Sequence, residues 1–190
     1  AATAAGAFSL SENGLYTLEG WESFIKALEH DGIFTVSRWY AVNDTQETAR
    51  MLSLAVSALI KQGAGDPSKH LFLAHGGAVA TLIVSKRPLP LEELQVLHQI
   101  ADSKGFGILY SPLSPSSVPL LDKIANAPSM DYIAALAEPE ILDFTAATDD
   151  RPFFFNQLKL SRIFDYLQRD KQGVLLGNLN ATLTLALILV

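Results

Sequence analysis

Two adjacent carboxylates, Asp149 and Asp150, are the residues whose type and spacing most directly suggest chemistry. Neighbouring carboxylates can bind a cationic substrate or a metal ion through their oxygens. The sequence offers no third ligand in the same pattern, and Arg151 follows directly. A turn in which a carboxylate caps backbone N–H groups and Arg151 balances its charge explains the same residues, with the aromatic run after it buried. We favour the turn and keep Asp149 and Asp150 as a candidate substrate-binding pair.

A second group of candidates stands at the end of a predicted strand. Arg38, Trp39 and Tyr40 close an apolar run that begins at Ile33. Open α/β sheets bind their ligands beyond the carboxyl ends of the strands, so these side chains occupy a favourable position. Position alone assigns them no catalytic role.

Two glycine pairs and the histidines can be set aside. Gly63-Ala64-Gly65 and Gly105-Phe106-Gly107 do not follow a strand and open a helix, as phosphate binding at a helix amino terminus requires. We interpret both as turns. The four histidines are too scattered to predict a metal site; they are His30, His70, His75 and His98.

The composition is that of an acidic globular protein. Of its 190 residues 49% are hydrophobic, which can fill the core of one domain or somewhat more. The net charge is −6 and the basic residues form no run, so we expect no nucleic-acid partner. The chain has no cysteine, which excludes disulfides, thiolate catalysis and cysteine-ligated metal sites.

The spacing of apolar residues predicts alternating helices and strands in the first half of the chain. An amphipathic helix is predicted over 17–29, followed by a strand over 33–39 that we expect to be central in its sheet. A second helix has an apolar stripe from Leu52 to Ile60. Strands over 71–75 and 79–85 flank a Gly-Gly turn that is typical of a hairpin.

This order of elements predicts an α/β fold. A strand, a crossover helix and a second strand form a right-handed parallel pair, and the hairpin adds an antiparallel strand to the same sheet. After Pro88 the pattern changes to short helices with one extended piece at 105–110. We therefore divide the chain into an α/β part at 1–88, a helical appendage at 89–172 and an apolar tail at 173–190.

The tail is almost uncharged. The apolar segment at 174–190 is too short to cross a bilayer by itself. A spanning helix needs about 20 apolar residues, and two asparagines interrupt this run. Both the start of a transmembrane helix and a buried terminal helix fit the pattern. The chain begins with neither Met nor a signal peptide, which we interpret as a cut inside a longer protein.

Short motifs in the first half of the chain follow one another in a recognisable order. The segment Ser11-Glu12-Asn13-Gly14-Leu15-Tyr16-Thr17 leads to Trp21 and then to Asp31-Gly32-Ile33-Phe34. This order is similar to the stretch after the catalytic aspartate of spermidine synthases, where a Gly-Pro-Ala-Glu turn precedes Leu-Phe or Leu-Tyr, a helix and Gly-Gly or Asp-Gly. The hairpin that ends Val84-Ser85-Lys86-Arg87-Pro88 resembles theirs as well. The resemblance covers roughly residues 1–88 and implies the closing half of a Rossmann-like methyltransferase sheet, made of strand, helix, strand and antiparallel hairpin.

A second resemblance concerns the later part of the chain. Residues 148–156, which read Thr-Asp-Asp-Arg-Pro-Phe-Phe-Phe-Asn, and the apolar tail are similar to bacterial membrane-embedded spermidine synthase-like proteins. In these proteins a methyltransferase-fold domain is joined to transmembrane helices. The resemblance implies a parent protein that is membrane-associated through its tail, with its soluble domain in the cytoplasm.

The family resemblance also implies a cofactor and residues that line one wall of its binding pocket. The parent would be a transferase that uses S-adenosylmethionine or decarboxylated S-adenosylmethionine. Leu10, Ser11 and Leu15 match positions that flank the nucleoside and would form one wall of its pocket, although simple entry into the first helix explains them too. The glycine-rich loop, the ribose-binding acid and the catalytic aspartate have no counterpart here, so we expect the chain itself to be inactive, to bind no cofactor and to contain no catalytic residue.

The expected partners follow from the missing half. The amino-terminal half of the same protein would supply the neighbour of strand 33–39. Without it, either the helical appendage after Pro88 folds over the open edge or a second copy pairs there in a homodimer, and we favour the homodimer. The alternative function is a non-catalytic binding or scaffolding module of a membrane protein, which needs the fold but no transfer chemistry.

Overall fold

A four-stranded sheet is the centre of the computed structural model, which describes residues 12–42 and 45–162. The strands lie side by side in the order β1–β3–β2–β4, and each neighbouring pair is antiparallel. In chain order they are β1 (Ile33–Trp39), β2 (Leu71–Gly76), β3 (Val79–Ser85) and β4 (Gly107–Tyr110).

Five α-helices surround this sheet in the part of the chain that the structure describes, so the α/β class is confirmed. Three short 3-10 turns, at Gly14–Tyr16, Pro67–His70 and Leu160–Arg162, connect other elements. The helices are α1 (Leu18–Ala27), α2 (Gln46–Lys61), α3 (Leu91–Lys104), α4 (Pro119–Ala125) and α5 (Met130–Ala137).

The strand order corrects two expectations. β1 and β2 run in the same direction and are joined through α2, but β3 lies between them and bonds to both, so they are not a directly paired parallel unit. The tight turn at Gly77, with its positive φ of 57°, returns the chain beside β2 and directs β3 into the space that the crossover leaves open. For the same reason β1 is an edge strand of the described sheet and not a central one.

One face of the sheet, here called the α2 face, forms the main core. It carries Phe34 and Val36 of β1, Leu82 of β3 and Leu73 of β2, all packed in one apolar cluster with α1 and α2. Trp21 of α1 meets the Phe34 ring edge-on at 5.1 Å between ring centres. The remaining sides of α2 pack on α1, α4 and α5, so this helix is buried from Thr48 to Leu59.

The opposite face, here called the α3 face, is only half covered. Phe72 of β2 and Ile108 of β4 pack beneath Leu94 of α3. This helix covers the β2–β4 side, whereas Ile33 and Trp39 of β1 point to the same face and remain 50% and 69% exposed. The sheet therefore has a bare strip along β1.

The stretch expected to be a helical appendage is joined closely to the sheet. Its strand β4 pairs with β2, and Leu109, Leu121 and Ile133 belong to the same apolar cluster as α2. In the described ranges no helix is both long and apolar enough to cross a membrane. Residues 173–190 lie outside those ranges, so their role as a tail stays a prediction.

Candidate functional site

The carboxyl ends of β1 and β2 meet at one end of the sheet. Because the two strands run in the same direction, Tyr40 after β1 and His75 near the end of β2 come together, with 4.6 Å between their ring centres. Open α/β sheets bind ligands beyond the carboxyl ends of their co-directional strands. We therefore take this end, here called the carboxyl edge, as the candidate site.

Arg38 is the central charged residue of the carboxyl edge. Its Nε and Nη2 donate to Glu47 Oε2 at 3.3 and 3.0 Å. Its guanidinium carbon lies 4.6 Å from the ring centre of Phe155 and 5.4 Å from that of Tyr16. Such an ion pair with two aromatic rings fixes the orientation of the guanidinium. Its Nη1 is not engaged by Glu47 and can donate a hydrogen bond to an oxygen of a ligand.

Two distant stretches of chain build the aromatic floor below Arg38. The Tyr16 ring lies 4.7 Å from Phe154, which in turn lies 5.2 Å from Phe155. Backbone hydrogen bonds hold the stretches together, since Asn13 N donates to Pro152 O at 2.8 Å. The turn that precedes α1 and the segment that follows Asp150 therefore belong to one surface.

Of the three residues predicted to line the cofactor pocket, Leu15 lies beside this surface. Leu10 and Ser11 lie outside the described residues. Leu15 stands in the 3-10 turn before α1 with its side chain 65% exposed, while its carbonyl accepts a hydrogen bond of 3.0 Å from Trp21 Nε1. The backbone of Leu15 is thus fixed, and the exposed side chain is next in sequence to Tyr16. Its contact with a nucleoside stays a prediction.

Asp149 and Asp150 lie at the exposed tip of a turn. Arg151 N donates to Thr148 O at 2.9 Å and closes the turn, and Asp149 N donates to Glu19 Oε2 at 3.0 Å. The turn itself is present and both aspartates are exposed, but among the described residues neither carboxylate caps a backbone N–H or pairs with Arg151. Their role as a substrate-binding pair stays a prediction. Within residues 12–42 and 45–162 no three acidic or histidine side chains are grouped so that they could hold a metal ion.

The residue that sequence reasoning missed is Arg50. Although it belongs to α2, it is only 6% exposed, and burial lowers its pKa to about 10 against the opposing effect of Asp143. Its Nε and Nη1 donate to four backbone carbonyls at 2.9–3.2 Å, those of Thr145, Phe153, Phe154 and Asn156. We call this group the Arg50 cluster. It holds the segment that carries Phe155 and so positions the floor below Arg38.

A polar pair on the α3 face has a different role. His98 Nε2 and Ser111 Oγ are 2.8 Å apart, beside a cavity of about 460 Å³. An imidazole bonded to a hydroxyl is the arrangement that activates a nucleophile. Ser111 is only 2% exposed, however, and its Oγ also accepts a hydrogen bond from Leu113 N at 3.2 Å. The pair ties α3 to the end of β4, and we assign it no chemistry.

Comparison with known proteins identifies no relative. No protein-family model, no curated protein and no solved structure matches the chain. The resemblance to spermidine synthases therefore stays a prediction, and function has to be inferred from the fold and from the carboxyl edge.

Proposed function

We propose that this chain is the closing half of a spermidine synthase-like transferase domain of the Rossmann-like methyltransferase type. Such a domain works with S-adenosylmethionine or its decarboxylated form. The observation that carries the proposal is the position of β3, which returns antiparallel between the co-directional strands β1 and β2. An antiparallel strand in this position is what the closing half of a methyltransferase sheet requires, and the carboxyl ends of β1 and β2 lie at the end of the sheet where open α/β sheets bind ligands.

Each candidate residue has a role in this proposal. Leu15 gives an apolar surface to the nucleoside, and Arg38 donates a hydrogen bond from a guanidinium that Glu47 already orients. Asp149 and Asp150, exposed on a turn near the same surface, attract a cationic substrate such as a polyamine. We assign all of these residues to binding and none to the transfer step, so in this proposal the chain contributes binding surface and no catalytic group.

The remaining parts come from another segment. A glycine-rich loop, a ribose-binding acid and a catalytic aspartate are needed for transfer, and the amino-terminal half would bring them by pairing along β1. Membrane attachment through residues 173–190 and a cytoplasmic position of the domain belong to the same proposal. The chain by itself is then inactive and binds no cofactor.

Calorimetry on a chimera tests the proposal. The amino-terminal half of a spermidine synthase-like protein, with its glycine-rich loop, is fused in front of Ala1, and S-adenosylmethionine is titrated into the chimera and into the original chain. We expect micromolar binding by the chimera and none by the chain. The substitution Leu15→Asp should weaken binding at least tenfold. Leu113→Asp, at another exposed leucine, should leave the affinity unchanged.

Two results would contradict the proposal. Micromolar binding by the original chain would show that its site is already complete. A folded chimera that binds neither form of the cofactor would show that the chain does not close a methyltransferase site. The second candidate function, a non-catalytic binding or scaffolding module, would then be preferred, because Trp39 and Val42 expose apolar surface at the end of β1.

A further inference from the structure

The outer edge of β1 presents a regular row of backbone hydrogen-bonding groups. Lys86 N donates to Gly32 O at 3.0 Å, and Tyr40 N donates to Ala78 O at 2.9 Å. In an antiparallel pair alternate residues bond to the same neighbour, so the even-numbered residues of β1 bond to β3. The N–H and C=O groups of the odd-numbered residues therefore point away from the sheet; these are Ile33, Thr35, Ser37 and Trp39.

The side chains along this edge do not protect it. Natural edge strands are usually guarded by lysine, proline, a bulge or an inward charge. β1 pairs with β3 over seven residues without a register shift, and the side chains of its odd-numbered residues are uncharged. Its single charge, Arg38, points to the α2 face and is paired with Glu47. Within residues 12–42 and 45–162 no other strand pairs with this side of β1, so the edge can accept a further strand.

We propose that β1 pairs with β1 of a second copy of this chain, antiparallel and about a two-fold axis at Val36. The strand pattern complements itself in this register: Ile33 meets Trp39 of the second copy, and Thr35 meets Ser37. All the pairs between odd-numbered residues are then hydrogen-bonded pairs, which gives about eight hydrogen bonds across the axis. The two sheets join into one of eight strands, because each copy contributes four.

The side chains favour this pairing register over the registers that are shifted by two residues. Shifting the pairing by two residues leaves either Trp39 or Ile33 without a partner, although both are at least half exposed in one copy. In the symmetric register no like charges oppose each other, because Arg38 meets Phe34 of the second copy on the α2 face. Aromatic–aliphatic pairs on one face and cation–aromatic pairs on the other both favour the contact. The dimer describes the chain by itself and competes with the transferase function proposed above, because an amino-terminal half that pairs along β1 would occupy the same edge.

Cysteine crosslinking of the full chain tests both the dimer and its register. The chain has no cysteine, so a single introduced thiol can form only an intermolecular disulfide. Opposed residues that are not hydrogen-bonded lie about 4.5 Å apart at their Cα atoms, within the range that a disulfide requires. Val36→Cys should therefore form a covalent dimer under mild oxidation. Val42→Cys is the control, because Val42 is 75% exposed. If disulfides formed only through random collisions, Val42→Cys would crosslink faster than Val36→Cys; in the proposed dimer Val36→Cys is the faster of the two.

A second measurement does not depend on the cysteine variants. The unmodified chain should sediment as a dimer at about 100 μM, a concentration at which a strand-edge contact of modest area is populated. Thr35→Lys places a charge on the bare side of the edge and should shift the chain to a monomer with an unchanged circular dichroism spectrum. A monomeric unmodified chain, a Thr35→Lys variant that stays dimeric, or crosslinking at Val36 no faster than at Val42 would each overturn the proposal.

Discussion

Replacing Arg50 with methionine should strongly destabilise the protein. Methionine keeps an unbranched apolar side chain but donates no hydrogen bond, so the four carbonyls of the Arg50 cluster lose their shared donor. These carbonyls belong to the segment from Thr145 to Asn156, which carries Phe154 and Phe155 into the core. We expect this segment to detach first.

The size of the effect follows from opposing contributions. Nε and Nη1 together have three N–H groups for the four carbonyls. Hydrogen bonds to a charged group are worth about 1.5–3 kcal/mol each, so three of them amount to roughly 4.5–9 kcal/mol. Burial of the guanidinium opposes this gain, because lowering its pKa to about 10 corresponds to about 3 kcal/mol. The partly buried carbonyls also regain water in the variant. A net loss of about 3–5 kcal/mol remains, which is a large share of the roughly 5–15 kcal/mol that stabilises a typical domain.

Urea unfolding of the full chain measures this loss, with the fluorescence of buried Trp21 as the signal. Arg151→Met is the matched control, because Arg151 is exposed and should cost less than about 0.5 kcal/mol. Arg50→Lys keeps the charge but loses the planar fork, so its free energy of unfolding should lie between those of the wild type and the methionine variant. A methionine variant within about 1 kcal/mol of the Arg151 control would refute the reasoning.

Further expectations concern single contacts. Burial raises the pKa of Tyr110, so the stability that its neutral phenol contributes is complete below about pH 10 and falls as the pH rises above that value; melting temperatures of Tyr110→Phe should decline less steeply on that side. A hydrogen bond from Ser68 lowers the pKa of Asp66, so its contribution is present above about pH 4 and is lost as the pH falls below it; Asp66→Asn should flatten the acid side of the same curve. Phe154→Ala, at a fully buried ring, should cost about 3–5 kcal/mol in urea unfolding. In the chimera proposed above β1 is paired within one chain, so Val36→Cys placed there should give no covalent dimer.

Local signals in the sequence were sufficient for most single elements. The Gly-Gly turn between two apolar runs predicted the hairpin of β2 and β3, because only a few turn types join strands so closely. The apolar stripe after Leu52 predicted α2, and the glycine at position 105 marks the end of α3 with a φ of 67°. These features depend on residues close in sequence.

Features that depend on distant residues were not predictable in the same way. The pattern of β1 alternates between half-buried and exposed residues, and its apolar content alone suggested a central strand. Whether β3 returns beside β2 only, or enters between β2 and β1, depends on the path of α2 as well as on the turn. Arg50 was missed because its partners lie 95 to 106 residues away. The one local indication was an arginine in a helix that continues without charge to Ile60.

The Arg50 cluster also has a consequence for synthesis of the chain on the ribosome. Its acceptors are translated 95 to 106 residues after the arginine. When α2 leaves the ribosome, the carbonyls that bind Arg50 in the folded protein have therefore not yet been synthesised. At about 5–20 residues per second the delay is roughly 5–20 s, far longer than a helix needs to form. During this interval one side of α2 is open to other nascent chains and to chaperones. A translational pause placed before the codon of Asn156 should therefore raise the fraction of chains that aggregate, whereas an equal pause after Asn156 has left the ribosomal exit tunnel should not.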